Sequence, residues 1–237
     1  MDRIANETDA VGGMTREDPR FDVALYTMQD LSRYLRLPRQ TVAYWAKPHS
    51  GMPPVVTMMS RAGGRNQPVV PFVGFTEAFV ASVFRRVHGL SWPYIRKALA
   101  RVQQEMGLEH ALASRQLYTD GAKILFDHGQ REAETRLLVE VVSDNVVFTE
   151  VVEDYLRRIE YARDGWAKHI VLPTTRPVAA VTPYKAHGQA LTIHGEARIV
   201  DILDRFEGEE SFEEIAEDFG VPRRDVEEVI RAFYKAA

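Results

Sequence analysis

Apolar positions first recur at near-helical spacing in YTMQDLSRYLRLPRQTVAYWAK, where Met28, Leu31, Leu35 and Leu37 supply them and Tyr34 can join. Thr27 followed by Asp30 reads as an N-cap with its box partner, so a helix is predicted to start there. Leu37-Pro38 ends it, because the residue before proline avoids the α region while proline suits a helix's first turn. Val42 and Trp45 carry the stripe onto a second short helix ending near Lys47-Pro48. Two short helices with a tight turn predict a helix-turn-helix. Beyond it, the β-prone runs VVTMM and PVVPFV flank SRAGGRNQ, which predicts a hairpin, a wing with Arg61 and Arg65 at its tip.

Helical periodicity returns in FTEAFVASVFRRVHG, with Thr76 as cap, Phe79, Val83 and Val87 on one stripe and Gly89 as the stop. SWPYIRKALARVQQEMG predicts a further helix, capped by Ser91 and ended by Gly107. In the middle third, Asp120-Gly121 marks a hairpin and LLVEVV and NVVFTEVV read as strands. TEVVEDYLRRIEYARDG reads as an amphipathic helix with Val151 or Val152, Tyr155 and Ile159 on one side, and AKHIVLP as one more strand. Three helices close the chain: one with Ile199, Ile202, Leu203 and Phe206, one capped by the Ser211/Glu214 box, and one opened by Pro222.

The predicted fold is mainly α with small β elements, an α+β class. Its parts are a polar flexible tail (1–20), a winged helix-turn-helix (21–107), a small central α+β unit for spacing or dimerisation (108–180) and a helix-turn-helix-like three-helix bundle (181–237).

Charge divides the chain more sharply than its net of −4 suggests. Residues 21–106 hold eleven basic and four acidic side chains, a net of +7, whereas residues 189–237 hold six basic and thirteen acidic, a net of −7. Such asymmetry suggests a polyanion as partner at the front and a basic partner at the back. An acidic face repels phosphate, so the C-terminal bundle is poorly suited to DNA. The absence of cysteine removes disulfides, thiolate metal sites and cysteine nucleophiles. No apolar stretch approaches the ~20 residues of a membrane helix, and the N-terminus lacks a signal-peptide core. A cytoplasmic protein without membrane association is therefore expected.

YTMQDLSRYLRLPRQTVAYWAK resembles the winged helix-turn-helix opening of MerR-type regulators, and FTEAFVASVFRRVHGLSWPYIRKAL resembles the helices that follow in that fold. From Tyr26 onward the chain is similar to VapB-type antitoxins that join a MerR-like N-terminus to a C-terminal antitoxin-like bundle. Pro183, Gly188, Gly195, Ile199, Ile202, Glu207, Gly208, Ser211, Glu214, Ile215, Ala216, Asp218, Phe219, Val226 and Ile230 match its C-terminal pattern. The loop from Tyr184 to His194 departs from it, with His187-Gly188-Gln189 where an aromatic or arginine is more common. This resemblance implies a type II antitoxin whose partner is a PIN-type ribonuclease toxin, which would hold Mg²⁺ on carboxylates.

In the second helix of the N-terminal motif, Arg39, Gln40, Thr41, Tyr44 and Lys47 can reach bases or phosphates, and Arg61 and Arg65 would add contacts from the wing. Trp45 reads as core. For the toxin, Glu207, Glu209, Glu210, Glu213, Glu214, Glu217 and Asp218 could face a basic RNA-binding groove, and Arg198 or Arg205 could reach the toxin's carboxylates. No metal spacing or nucleophile motif is present. His187 and His194 read as solvated or satisfied, so no cofactor and no catalysis are expected.

The function expected is thus an antitoxin that neutralises a ribonuclease and represses its own operon as a homodimer on operator DNA. The alternative is a stand-alone MerR-like regulator answering to a small organic effector, and a third reading is an adaptor with no DNA role. On the antitoxin reading the two ends are separable, so deleting residues 189–237 should spare DNA binding.

Overall fold

A computed structural model describes residues 17–49, 51–60, 67–88, 107–117 and 157–234, together with positions 93, 96, 99, 100, 103 and 104. Within them lie six named α-helices and a four-stranded antiparallel sheet, an α+β fold.

Helix α1 (Met28–Leu35) starts where its cap predicts. The Asp30 backbone N–H donates to Thr27 Oγ1 at 3.1 Å, and the Asp30 carboxylate accepts from the Thr27 N–H at 2.8 Å. Arg36 closes it in the left-handed region (φ 53°). Pro38 then sits at the N-cap of α2 (Arg39–Trp45). The two helices bury Leu31, Tyr34, Leu35, Val42 and Trp45, which places Trp45 in the core.

Helix α3 (Phe72–His88) begins four residues before the expected Thr76 cap. Its buried Phe72, Phe75 and Phe79 follow the helical period, and Thr76 instead donates its hydroxyl to the Phe72 carbonyl at 2.9 Å. The run PVVPFV therefore contributes only a bridge at Val70, which pairs antiparallel with Tyr26, before entering the helix. Among the described residues one bond joins the two expected wing runs, from the Met59 N–H to the Val69 carbonyl at 2.8 Å. Arg61 and Arg65 lie outside the described residues, as do the Asp120-Gly121 hairpin and the LLVEVV and NVVFTEVV runs.

The sheet is a meander of β1 (Ile159–Tyr161), β2 (Ala167–Val171), β3 (Ala179–Val181) and β4 (Leu191–Thr192). AKHIVLP supplies β2 as expected. Ile159, assigned from periodicity to a helix face, pairs instead with Ile170 in β1, because cross-strand burial overrides a three-residue stretch of local pattern. Strand β3 is wholly buried and spans residue 180, where the sequence reading divides the central unit from the bundle.

The bundle comprises α4 (Ile199–Glu207), α5 (Phe212–Phe219) and α6 (Arg223–Phe233). Ser211 and Glu214 form the expected box at the head of α5, and Gly220 (φ 61°) caps its end. Ile199, Ile202, Ile215, Val226, Val229 and Phe233 fill the centre.

The N-terminal head and the bundle share one hydrophobic core. Tyr34 of α1 meets Phe233 of α6 edge-on, with ring centroids 6.5 Å apart. Burial pushes the Tyr34 hydroxyl up to about 12. Gly188 sits at the seam with φ 79°, where a Cβ would come within 3.0 Å of Leu25 and 3.1 Å of the Tyr26 hydroxyl. Residues 17–20, expected as tail, are fixed as well: the buried Arg20 guanidinium bonds Asp18 and, across 144 residues, both Asp164 oxygens at 3.0 and 2.6 Å.

Candidate nucleic-acid interface and acidic bundle

In α2 the side chains divide by helical spacing. Val42 and Trp45 turn inward. Arg39 and Ala43, with Ala46 and Lys47 just past the end of the helix, line an open groove of about 720 Å³, whose other walls are Thr27, Met28, Gln29, Asp30 and Arg33 near α1 and Met58, Met59 and Val69. Three of these residues are cationic and one is anionic, and Asp30 already serves the Thr27 cap. The groove is basic, apolar-floored and open, the combination that attracts a phosphate backbone.

Of the expected DNA-contacting residues, Arg39 and Lys47 are exposed and line this groove. Gln40 is exposed beside them, and Thr41 is partly exposed. Tyr44 is placed differently. Its ring carries the Arg96 guanidinium 5.1 Å from its centroid and lies 5.1 Å from the His49 ring, so it packs on these two residues and is not among the groove's lining. Arg33, absent from the expected set, lines the groove from α1; its place in the first helix carries no sequence signal for base reading, which the motif assigns to the second helix.

Arg96 is the other surprise. It is 2% exposed and donates to the carbonyls of Pro53 at 2.7 Å, Tyr44 at 3.0 Å and Lys47 at 3.1 Å. A charge that sequence arithmetic assigns to the basic surface is thus held inside the protein, on carbonyls at the end of α2 and in the segment that follows it.

The acidic end has its own internal order. Arg205 pairs with Glu210, and with Asp218 at 2.7 Å, and lies over the Phe219 ring. The hydrogen bonds it donates to these two carboxylates push its guanidinium further up. Arg198, at the N-cap of α4, grips Asp201 through two bonds of 2.7 Å. Neither arginine is free to reach a partner's carboxylates without breaking a pair, though exposed pairs of this kind contribute only about 0–1 kcal/mol. Glu213 pairs with Arg223 at 2.8 Å. The Ser211 backbone and hydroxyl hold the Glu214 carboxyl below the usual carboxylate range. Glu207, Glu209 and Glu217 are exposed and make no ion pair among the described residues.

Two further acids are structural. Asp225, 4% exposed, accepts from His194 at 2.9 Å, which makes His194 a satisfied histidine. Glu228, 2% exposed, accepts from the Thr175 N–H at 2.9 Å and Arg231 at 2.8 Å, anchoring the loop before β3 to α6. His187 lies in a short turn with φ 50°.

Fold and site together define a helix-turn-helix protein of the α+β class that carries a separate acidic helical surface. Residues 24–99 match the family described as "Putative DNA-binding HTH domain". Over 219 residues the chain is 36% identical to "Putative antitoxin VapB45" of Mycobacterium tuberculosis, covering 85% of this chain and 90% of that protein. The crystal structure of Rv2018 from Mycobacterium tuberculosis is similar with a TM-score of 0.74 and 32% identity, over 89% of this chain and 99% of that one. The chain belongs to the VapB45 antitoxin family. No helix among the described residues is long and apolar enough to cross a membrane.

Proposed function

We propose that this chain neutralises a PIN-type ribonuclease through its acidic C-terminal bundle and represses its own operon through the N-terminal helix-turn-helix. The observation that carries the reading is the placement of opposite charge on two separate sets of elements in one fold. Arg33, Arg39 and Lys47 converge on the groove beside α2, while exposed carboxylates stud α4 and α5. An RNA-cleaving partner must present cations to its substrate, and a carboxylate-rich helical surface competes for the same cations.

At the DNA end, Arg39, Gln40, Thr41 and Lys47 form the reading set, joined by Arg33 and without Tyr44, and Arg61 and Arg65 add contacts from the wing. A homodimer on paired half-sites fits a head that presents a single short reading helix. At the other end, Glu207, Glu209 and Glu217 are the first contacts, because they enter an interface without surrendering an internal pair. Glu210, Glu213, Glu214 and Asp218 supply field rather than contact. Arg198 and Arg205 brace the surface they were expected to extend.

RNA cleavage by the protein encoded beside this chain tests the reading. Cleavage suppressed by stoichiometric full-length chain, and restored when Glu207 and Glu217 are both replaced by Lys, is the expected result. Cleavage that proceeds unchanged in the presence of wild-type chain would overturn it.

A further inference from the structure

The geometry assigns Arg96 as the positioning residue of DNA recognition: it touches no nucleic acid and sets the pose of α2, the helix that does. This inference rests on the proposal that α2 reads DNA.

Helix α2 is only seven residues long, too short to hold its shape by its own hydrogen bonds. Pro38 at its N-cap gives no side-chain bond. Its C-terminal end is held from outside. One guanidinium spans the carbonyls of Tyr44 and Lys47 and, on its other nitrogen, that of Pro53, which begins the return segment. The same cation lies over the Tyr44 ring. Charge-assisted bonds to carbonyl oxygens are strong and directional, and a planar guanidinium fixes relative angle as well as distance. Arg96 therefore locks the direction of the α2 axis and the exit of the chain toward Met58 and Met59, which wall the groove. A lysine has one compact ammonium and cannot span three carbonyls in a plane.

Two classes of arginine can weaken DNA binding when removed, and salt separates them. An arginine on a phosphate releases a counterion, so its loss lowers the slope of log affinity against log salt by about 0.9. A positioning arginine leaves that slope unchanged and lowers discrimination between sequences.

The test uses full-length chain and a duplex that the wild type selects from a random-sequence pool, with an unselected duplex as control. Arg96→Lys and Arg96→Met are compared with Lys47→Ala at several salt concentrations, after far-UV circular dichroism and thermal melting. Both Arg96 variants are expected to lose about tenfold or more in preference for the selected duplex, the worth of one well-placed base contact. Their salt slope should match the wild type, with Lys less impaired than Met. Lys47→Ala should lose slope. A wild-type preference in both Arg96 variants overturns the inference, as does a slope reduced by about one, which would put Arg96 on a phosphate. Collapse of the fold in both variants also overturns it, making Arg96 a requirement of the core. If the wild-type chain selects no duplex, the DNA-binding proposal itself fails.

Discussion

Single side chains in this protein do long-range work that their neighbours in sequence do not announce. His110 is an example. Its Nδ1 lies 3.1 Å from the buried Glu77 carboxylate, which also accepts from the Thr57 N–H at 2.6 Å. Burial, the largest single influence, would lower the imidazole, but the Glu77 hydrogen bond together with the negative charges of Glu77 and Glu109 outweighs it and raises it above the ordinary value. A raised folded value means that the pair contributes fully below the unfolded pKa of about 6.5 and that its contribution is lost as pH rises through the folded value. His110→Gln should therefore lower thermal stability more at about pH 5.5 than at about pH 9, by about 1–3 kcal/mol at the acid end. Melting curves across that range check this, and a deficit independent of pH would show His110 to act as packing alone.

At the scale of elements, the groove beside α2 makes the sharpest claim. Arg39→Ala and Lys47→Ala should each lower the salt slope of DNA binding by about 0.9 without changing the melting temperature, since both side chains are exposed. Filter binding at graded salt measures it, and an unaltered slope would take these residues off the phosphates. The elements that local chemistry specifies were legible in the sequence: the Thr27/Asp30 and Ser211/Glu214 boxes and the Gly220 cap stand where the residues place them. Where local and distant terms compete, the distant term won. Ile159 left its helical pattern for a strand partner, and Phe72 drew α3 back past Thr76 toward the core. The Arg96 clasp reaches 43, 49 and 52 residues along the chain, so no spacing rule reveals it. The same holds for Tyr44, whose exposure depended on where Arg96 landed.

The whole molecule is less modular than its charge pattern implies. Tyr34 packs on Phe233, Gly188 fits against Leu25 and Tyr26, and Arg20 ties the start of the head to Asp164. Deleting residues 189–237 would remove Phe233 from Tyr34 and β4 from the edge of β3, so the truncated chain should lose cooperative melting and DNA binding together, in contrast to the separability expected from sequence. Calorimetry of the truncated chain decides this, with a sharp transition and retained DNA binding as the contrary result. A shared core also means that whatever the bundle binds stabilises the head by mass action. The central claim, that the acidic bundle holds a ribonuclease, is tested most directly by co-expressing the full chain with the protein encoded beside it and sizing the affinity-purified product by light scattering. A stoichiometric complex is expected, one that falls apart in the Glu207→Lys, Glu217→Lys double variant. A chain that purifies alone, with its neighbour recovered free, would contradict it.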